Sequence, residues 1–223
     1  GEPITDAAYP AGKEVGVLDD RHMGPVADFV KSVRRMPAVY DNKYVPRING
    51  PNVKQGKTKR DLAEQLRQDI REFKSKNALD RLVIVWCAST EIFIRPGAQH
   101  ATIEQFERAM ERNDDAIAPS MLYADAAILE DVPLCTGAPN LCVDTLALQQ
   151  LASDRGIPIS GKDFKTGQTW LKTVIAPPLK ALMLGLPGGV STNILGNQDR
   201  EVRADPASMK TQTESRRRVV PTP

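Results

Sequence analysis

The sequence predicts an α/β fold, a parallel sheet joined by crossover helices, from three observations. Short apolar runs alternate with amphipathic segments, each run ends in small or polar residues, and the elements follow the order strand, helix, strand, helix, strand, helix. Leu82-Val83-Ile84-Val85-Trp86 is apolar at every position, the pattern of a parallel strand covered on both faces. Pro133 to Cys135 and Ile157-Pro158-Ile159 supply two further short strands.

The remaining elements follow in order. A helix is expected over Met23 to Arg35, with Val26, Phe29, Val30 and Val33 on its apolar side. The connector through Pro46, Asn49, Gly50, Pro51 and Gly56 reads as loop. A long amphipathic helix spans 58 to 76, where Leu62, Leu66, Ile70 and Phe73 form a core-facing stripe. Helices are also expected at 102 to 112, around Ile103, Phe106 and Met110, and at 119 to 129, where Pro119 suits the first turn. Another runs from Asp144 to Ser153 and closes at Gly156. From Gln168 the spacing of Trp170, Leu171, Val174 and Ile175 is helical, and Pro177-Pro178 should break or kink that helix.

Composition narrows the class. A chain of 223 residues with 41% hydrophobic content can bury one full core or two small ones. The net charge is +2, from 30 basic and 28 acidic residues, so bulk charge makes no case for a nucleic acid or an anionic membrane as partner. No apolar run reaches the length of a membrane span and the start shows no signal peptide, so a soluble cytoplasmic protein is expected. Cys87, Cys135 and Cys142 lack CxxC spacing and lie far from His22 and His100, which supports neither a metal nor a disulfide framework. Acid–base work would fall to Asp, Glu and Lys. The opening on Gly1, without a methionine, hints at truncation.

The strand ends carry the candidate site. Ala88-Ser89-Thr90, Gly137-Ala138 and Asp163 to Gly167 follow the three strands, and ligands of open α/β sheets bind outside the carboxyl ends of strands. Three loops would line one crevice; loops that are small and polar with no ligand to bind are the alternative. In GKDFKTGQT, at 161 to 169, Asp163 and Lys165 can flank one ligand. Thr166, Gly167 and the N–H groups that follow sit where a helix begins and can receive a phosphate. A surface turn with a Thr cap accounts for the same residues. In STNILGNQD, at 191 to 199, Asn193, Asn197 and Asp199 suit sugar hydroxyls, and a plain turn explains them nearly as well. Arg216-Arg217-Arg218 reads as a solvated basic turn.

Several of these segments, in order, resemble the myo-inositol-3-phosphate synthases. VWCASTEIF at 85 to 93 resembles that family's LWTANTERY, TGAPNLC at 136 to 142 its NGSPQNT, GKDFKTGQT its GDDxKSGQT, and STNILGNQD its SYNHLGNNDG. The resemblance covers nearly the whole chain. It implies a partial Rossmann-like sheet over 1 to 160, leading into the start of a second, α+β catalytic domain over 161 to 223. It also implies NAD as cofactor, glucose 6-phosphate and inositol 3-phosphate as substrate and product, and a homo-oligomer, a tetramer in the family. By the resemblance Ala88, Ser89, Thr90, Gly137, Ala138 and Asp163 lie along the dinucleotide. Thr166, Gly167, Gln168 and Thr169 bind the substrate phosphate, Asn193, Asn197 and Asp199 the sugar, and Asp163 and Lys165 serve catalysis, Lys165 by stabilising charge. No glycine-rich GxGxxG loop follows a strand, and TQTESRR stands for the family's SKExSKS, placing Gln212 and Arg216 where lysines are expected. Ile92 replaces an arginine, and Leu141 and Cys142 replace polar residues. An internal part of such a synthase is the leading reading; a degenerate non-catalytic relative, or an unrelated nicotinamide-dependent enzyme, are the others. A sheet short of its full helical cover should also expose apolar surface and favour self-association.

Overall fold

In the computed structural model, residues 19–164, 167–185, 202 and 204–217 are described. The longest helix, α3 (Lys59–Lys76), starts where Thr58 Oγ1 accepts the Asp61 N–H at 3.1 Å. Its Ala63 and Leu66 are buried and Leu62 and Ile70 pack against the core, whereas Phe73, expected in the same stripe, is 47% exposed. The helix outruns the core at its last turn, which leaves its final apolar residue about half exposed. Ahead of it, the helix expected over Met23 to Arg35 is replaced by α1 (Asp20–Met23), a 3-10 turn at Gly24–Val26 and α2 (Ala27–Ser32). Pro25 interrupts the α-helical bonding, and Phe29 is 72% exposed instead of core-facing.

Three strands, β1 (Ile84–Trp86), β2 (Leu134–Thr136) and β3 (Ile159–Gly161), form a parallel sheet in that spatial order. Ile84, Leu134 and Ile159 stand in register, followed by Val85, Cys135 and Ser160, then Trp86, Thr136 and Gly161. Between β1 and β2 come α4 (Ile103–Glu111) and α5 (Pro119–Leu129); α6 (Leu146–Arg155) leads to β3 and ends on Gly156 at φ 66°. Both crossovers step the same way across the sheet, so their common handedness puts their helices on one face. The Ile84 and Ile159 side chains and buried Leu134 meet that helical layer, with α5 buried along nearly its whole length. On the other face Val83 and Val85 are 65% and 54% exposed, which corrects the expectation of a first strand covered on both sides.

Two later helices depart from expectation. The α7 helix (Gly167–Ala181) runs through Pro177 and Pro178. Residues 173–178 are all exposed, so water can reach the backbone where the two missing N–H groups interrupt the helical bonding. The α8 helix (Pro206–Arg217) returns to the sheet rim, where the Phe93 N–H donates to the Ala207 carbonyl at 3.2 Å.

Gly161 closes β3 at φ 136°, and a Cβ there would stand 2.5 Å from the Thr136 carbonyl oxygen. Gly161→Ala is therefore expected to cost about 1–3 kcal/mol of stability. A urea denaturation curve for the variant that overlays the parent's would refute this.

Candidate functional site

The carboxyl ends of β1, β2 and β3 open on a cavity of about 770 Å³. All six residues expected along a dinucleotide, Ala88, Ser89, Thr90, Gly137, Ala138 and Asp163, line it. The sheet ladder continues one step into the rim, because the Gly137 N–H donates to the Trp86 carbonyl at 2.8 Å and the Phe164 N–H to the Gly137 carbonyl at 3.1 Å. The Phe164 ring lies on Gly137 so closely that a Cβ at 137 would be 2.2 Å from Phe164 Cε2. Below the rim, Lys162 makes an ion pair with Asp144, tying the loop after β3 to the one after β2.

A second wall comes from the segment read as connector. Val39, Tyr40, Val45 and Ile48 line the cavity, and Val39 is fixed by donating its N–H to the Tyr123 hydroxyl at 3.1 Å. Tyr123 in turn packs on Trp86 with ring centroids 4.8 Å apart. The half-buried ammonium of Lys59 anchors the segment by donating to the Tyr44 hydroxyl and to the Asp114 and Ile117 carbonyls at 2.5, 2.6 and 2.7 Å. Desolvation lowers the Lys59 pKa, and burial raises that of Tyr44. This wall escapes sequence reading because it has no periodicity.

Glu91 and Gln212 complete the lining. The Glu91 carboxylate accepts the Ser120 N–H at 2.9 Å and the Ser120 hydroxyl at 2.6 Å; burial pushes it up to about 7 against those two bonds and the Lys59 charge. Gln212, on α8, donates its amide to Thr90 Oγ1 at 3.1 Å. Both were visible in the sequence, Glu91 inside VWCASTEIF and Gln212 as a replacement for lysine, without a signal that they line one cavity.

Of the expected phosphate-binding residues, Gly167 begins α7, with Gln168 and Thr169 in its first turn. Lys165, Thr166, Asn193, Asn197 and Asp199 lie outside the described residues. For a dinucleotide the cavity has a suitable size and mixed lining. Trp86 lines it as well, and its indole Nε1 is buried with no hydrogen-bond partner among the described residues.

Parallel strands, crossover helices on the sheet and a cavity at the carboxyl ends define a Rossmann-like α/β domain. Residues 4–196 match the NAD-binding family model described as myo-inositol-1-phosphate synthase. The chain belongs to the myo-inositol-1-phosphate synthase family. It is 47% identical over 218 residues to inositol-3-phosphate synthase 1 of Bacteroides thetaiotaomicron, covering 97% of this chain and 51% of that protein. It is 36% identical over 197 residues to the inositol-3-phosphate synthase of Dictyostelium discoideum, covering 86% and 38%. The crystal structure of inositol-3-phosphate synthase from Caenorhabditis elegans superposes with a TM-score of 0.84 at 26% identity, covering 94% of this chain and 41% of that one. The chain thus spans about half, or less, of the length of these relatives. Among the described residues no helix is long and apolar enough to cross a membrane.

Proposed function

We propose that this chain forms the cofactor-facing sheet and the start of the catalytic part of a cytoplasmic inositol-3-phosphate synthase, which isomerises D-glucose 6-phosphate to 1D-myo-inositol 3-phosphate. The observation that carries the reading is the convergence of Ala88 to Thr90, Gly137-Ala138 and Asp163 on one cavity. NAD, when bound, supplies the hydride acceptor at C5 and returns the hydride after ring closure. The chain's own residues bind and orient. The three loops wall the dinucleotide, the apolar side chains of Val39 and Ile48 exclude water, and Asp163 stands at the junction between cofactor and substrate. The N–H groups at the start of α7, with Thr166 to Thr169, receive the phosphate. Asn193, Asn197 and Asp199 hold sugar hydroxyls, and the Lys165 ammonium offsets oxyanion charge during enolisation and aldol closure. Residues from 161 onward form the start of the catalytic part. A homo-oligomer belongs to this reading, supported by exposed Val83 and Val85 on the sheet and Leu171, Val174 and Ile175 on α7.

A second reading, a non-catalytic relative that binds sugar phosphate or pairs with an intact subunit, is favoured by Gln212, whose amide carries no charge at a lysine position. The cofactor half of the proposal is tested by titrating isotope-labelled chain with NAD and following backbone amide shifts. Shifts concentrated at 88–90, 137–138 and 163 are expected, with an affinity weaker than micromolar, because no glycine-rich loop anchors the pyrophosphate. Shifts absent from these positions would overturn the reading, and micromolar affinity by calorimetry would overturn the expected weakness.

A further inference from the structure

Glu91 is a buried carboxylate with no part in the chemistry above, and three other segments fix its position. Ser120, which holds both its oxygens, lies in the first turn of α5, whose N-cap Ala118 provides no side-chain cap. An acid from the loop after β1 therefore caps α5 from outside, at the positive end of its dipole. The Glu91 N–H donates to Asn140 Oδ1 beyond β2 at 3.0 Å, and its carbonyl accepts the Thr211 hydroxyl of α8 at 2.9 Å. The residues just before it, Cys87 to Thr90, line the cavity.

We infer that Glu91 is the positioning residue of this cavity: by capping α5, its carboxylate holds Cys87 to Thr90 in the path along which that loop walls the dinucleotide site. The inference rests on the NAD reading above. An ionised carboxylate accepts both Ser120 donors, whereas a protonated one must give up or redirect one of them. The titratable groups facing it are Lys59 from α3, Tyr44 from the 38–48 wall and Cys142 from the loop after β2. From α5 and α8 it meets Ser120 and Thr211, which do not titrate in this range. Tyr44 and Cys142 are raised by burial and stay neutral while Glu91 changes state.

The experiment measures NAD affinity of the full 223-residue chain by amide shifts, from about pH 8.5 to about pH 5.5. Wild-type affinity should fall as pH drops through about 7, where the carboxylate takes up a proton. Glu91→Gln should bind about tenfold more weakly at high pH, with a flat profile, the scale of one lost charged hydrogen bond. Ser120→Ala, which removes one donor to the charged form, should move the midpoint of the profile upward. Asp125 also titrates near 7 and is common to all three proteins; it lies outside the cavity lining, and any slope it adds is the same in each, so the Glu91 contribution is read from the difference between the profiles. Glu91→Gln binding like wild type, or an unmoved midpoint in Ser120→Ala, overturns the positioning role and leaves the NAD reading standing. Wild-type shifts missing at 88–90 overturn both. Should Glu91→Gln fail to fold, the Ser120→Ala midpoint decides.

Discussion

The 223-residue chain, expressed by itself, is expected to form no inositol phosphate from glucose 6-phosphate in a coupled assay supplied with NAD. Two independent deficits lead there. A dinucleotide in a Rossmann-like site is gripped at its pyrophosphate by backbone N–H groups of a glycine-rich turn, and this sequence contains no GxGxxG after a strand. The loops after β1, β2 and β3 together with the 38–48 segment supply walls but not that grip. The second deficit is Gln212. Its amide donates to Thr90 and can neither carry a positive charge nor transfer a proton, so the charge expected of a lysine at that position is missing from the lining of the cavity. Because the deficits multiply, Gln212→Lys alone should not restore turnover. Product from the unmodified chain would refute the expectation outright, and product from Gln212→Lys would show that the cavity suffices as it stands.

Much of the sheet and its rim is legible in the sequence because a single physical rule connects them. Apolar runs of strand length identify β1, β2 and β3 to within two residues, and the strand-end rule then brings Ala88, Gly137 and Asp163 together although they are far apart in the chain. What the sequence hides has equally definite causes. The 38–48 wall is held by single contacts, such as the Val39 N–H on the Tyr123 hydroxyl, and such contacts leave no period to detect. The α8 helix buries Ser208, Thr211 and Gln212 instead of an apolar stripe, so nothing in its composition announces that it packs. In the N-terminal segment the apolar spacing is present but Pro25 breaks the α-helical bonding, and Val26 and Phe29 are exposed. The single-faced sheet follows from the order of its crossovers, which the run of apolar residues at 82 to 86 does not encode.

Asp125→Ala is expected to stabilise the chain, and by an amount that depends on pH. Asp125 lies on α5 among Ala124, Ala126 and Ala127, all buried, so an alanine fits its neighbourhood. Burial pushes its carboxyl up to about 7 from an ordinary 3.8; Glu107 reinforces the shift, and the Arg60 and Arg67 guanidiniums oppose it without cancelling it. In the unfolded chain the group ionises near 3.8, so below that pH it is neutral in both states and costs nothing through linkage. Between that pH and about 7 the unfolded chain releases a proton that the folded one keeps, so stability falls as pH rises. Above about 7 both states are ionised and the loss is constant, on the order of 4 kcal/mol at most. Glu91, raised from 4.5 to about 7, adds a loss of the same sign in the same window. Thermal melts should therefore show Asp125→Ala well above the parent at pH 8, closer to it at pH 5, and with a shallower fall of melting temperature across that interval. The fall should persist in part, because Glu91 remains. A variant whose advantage is the same at both pH values would show that shape, and not the buried charge, governs this position, and a less stable variant at pH 8 would reject the account altogether.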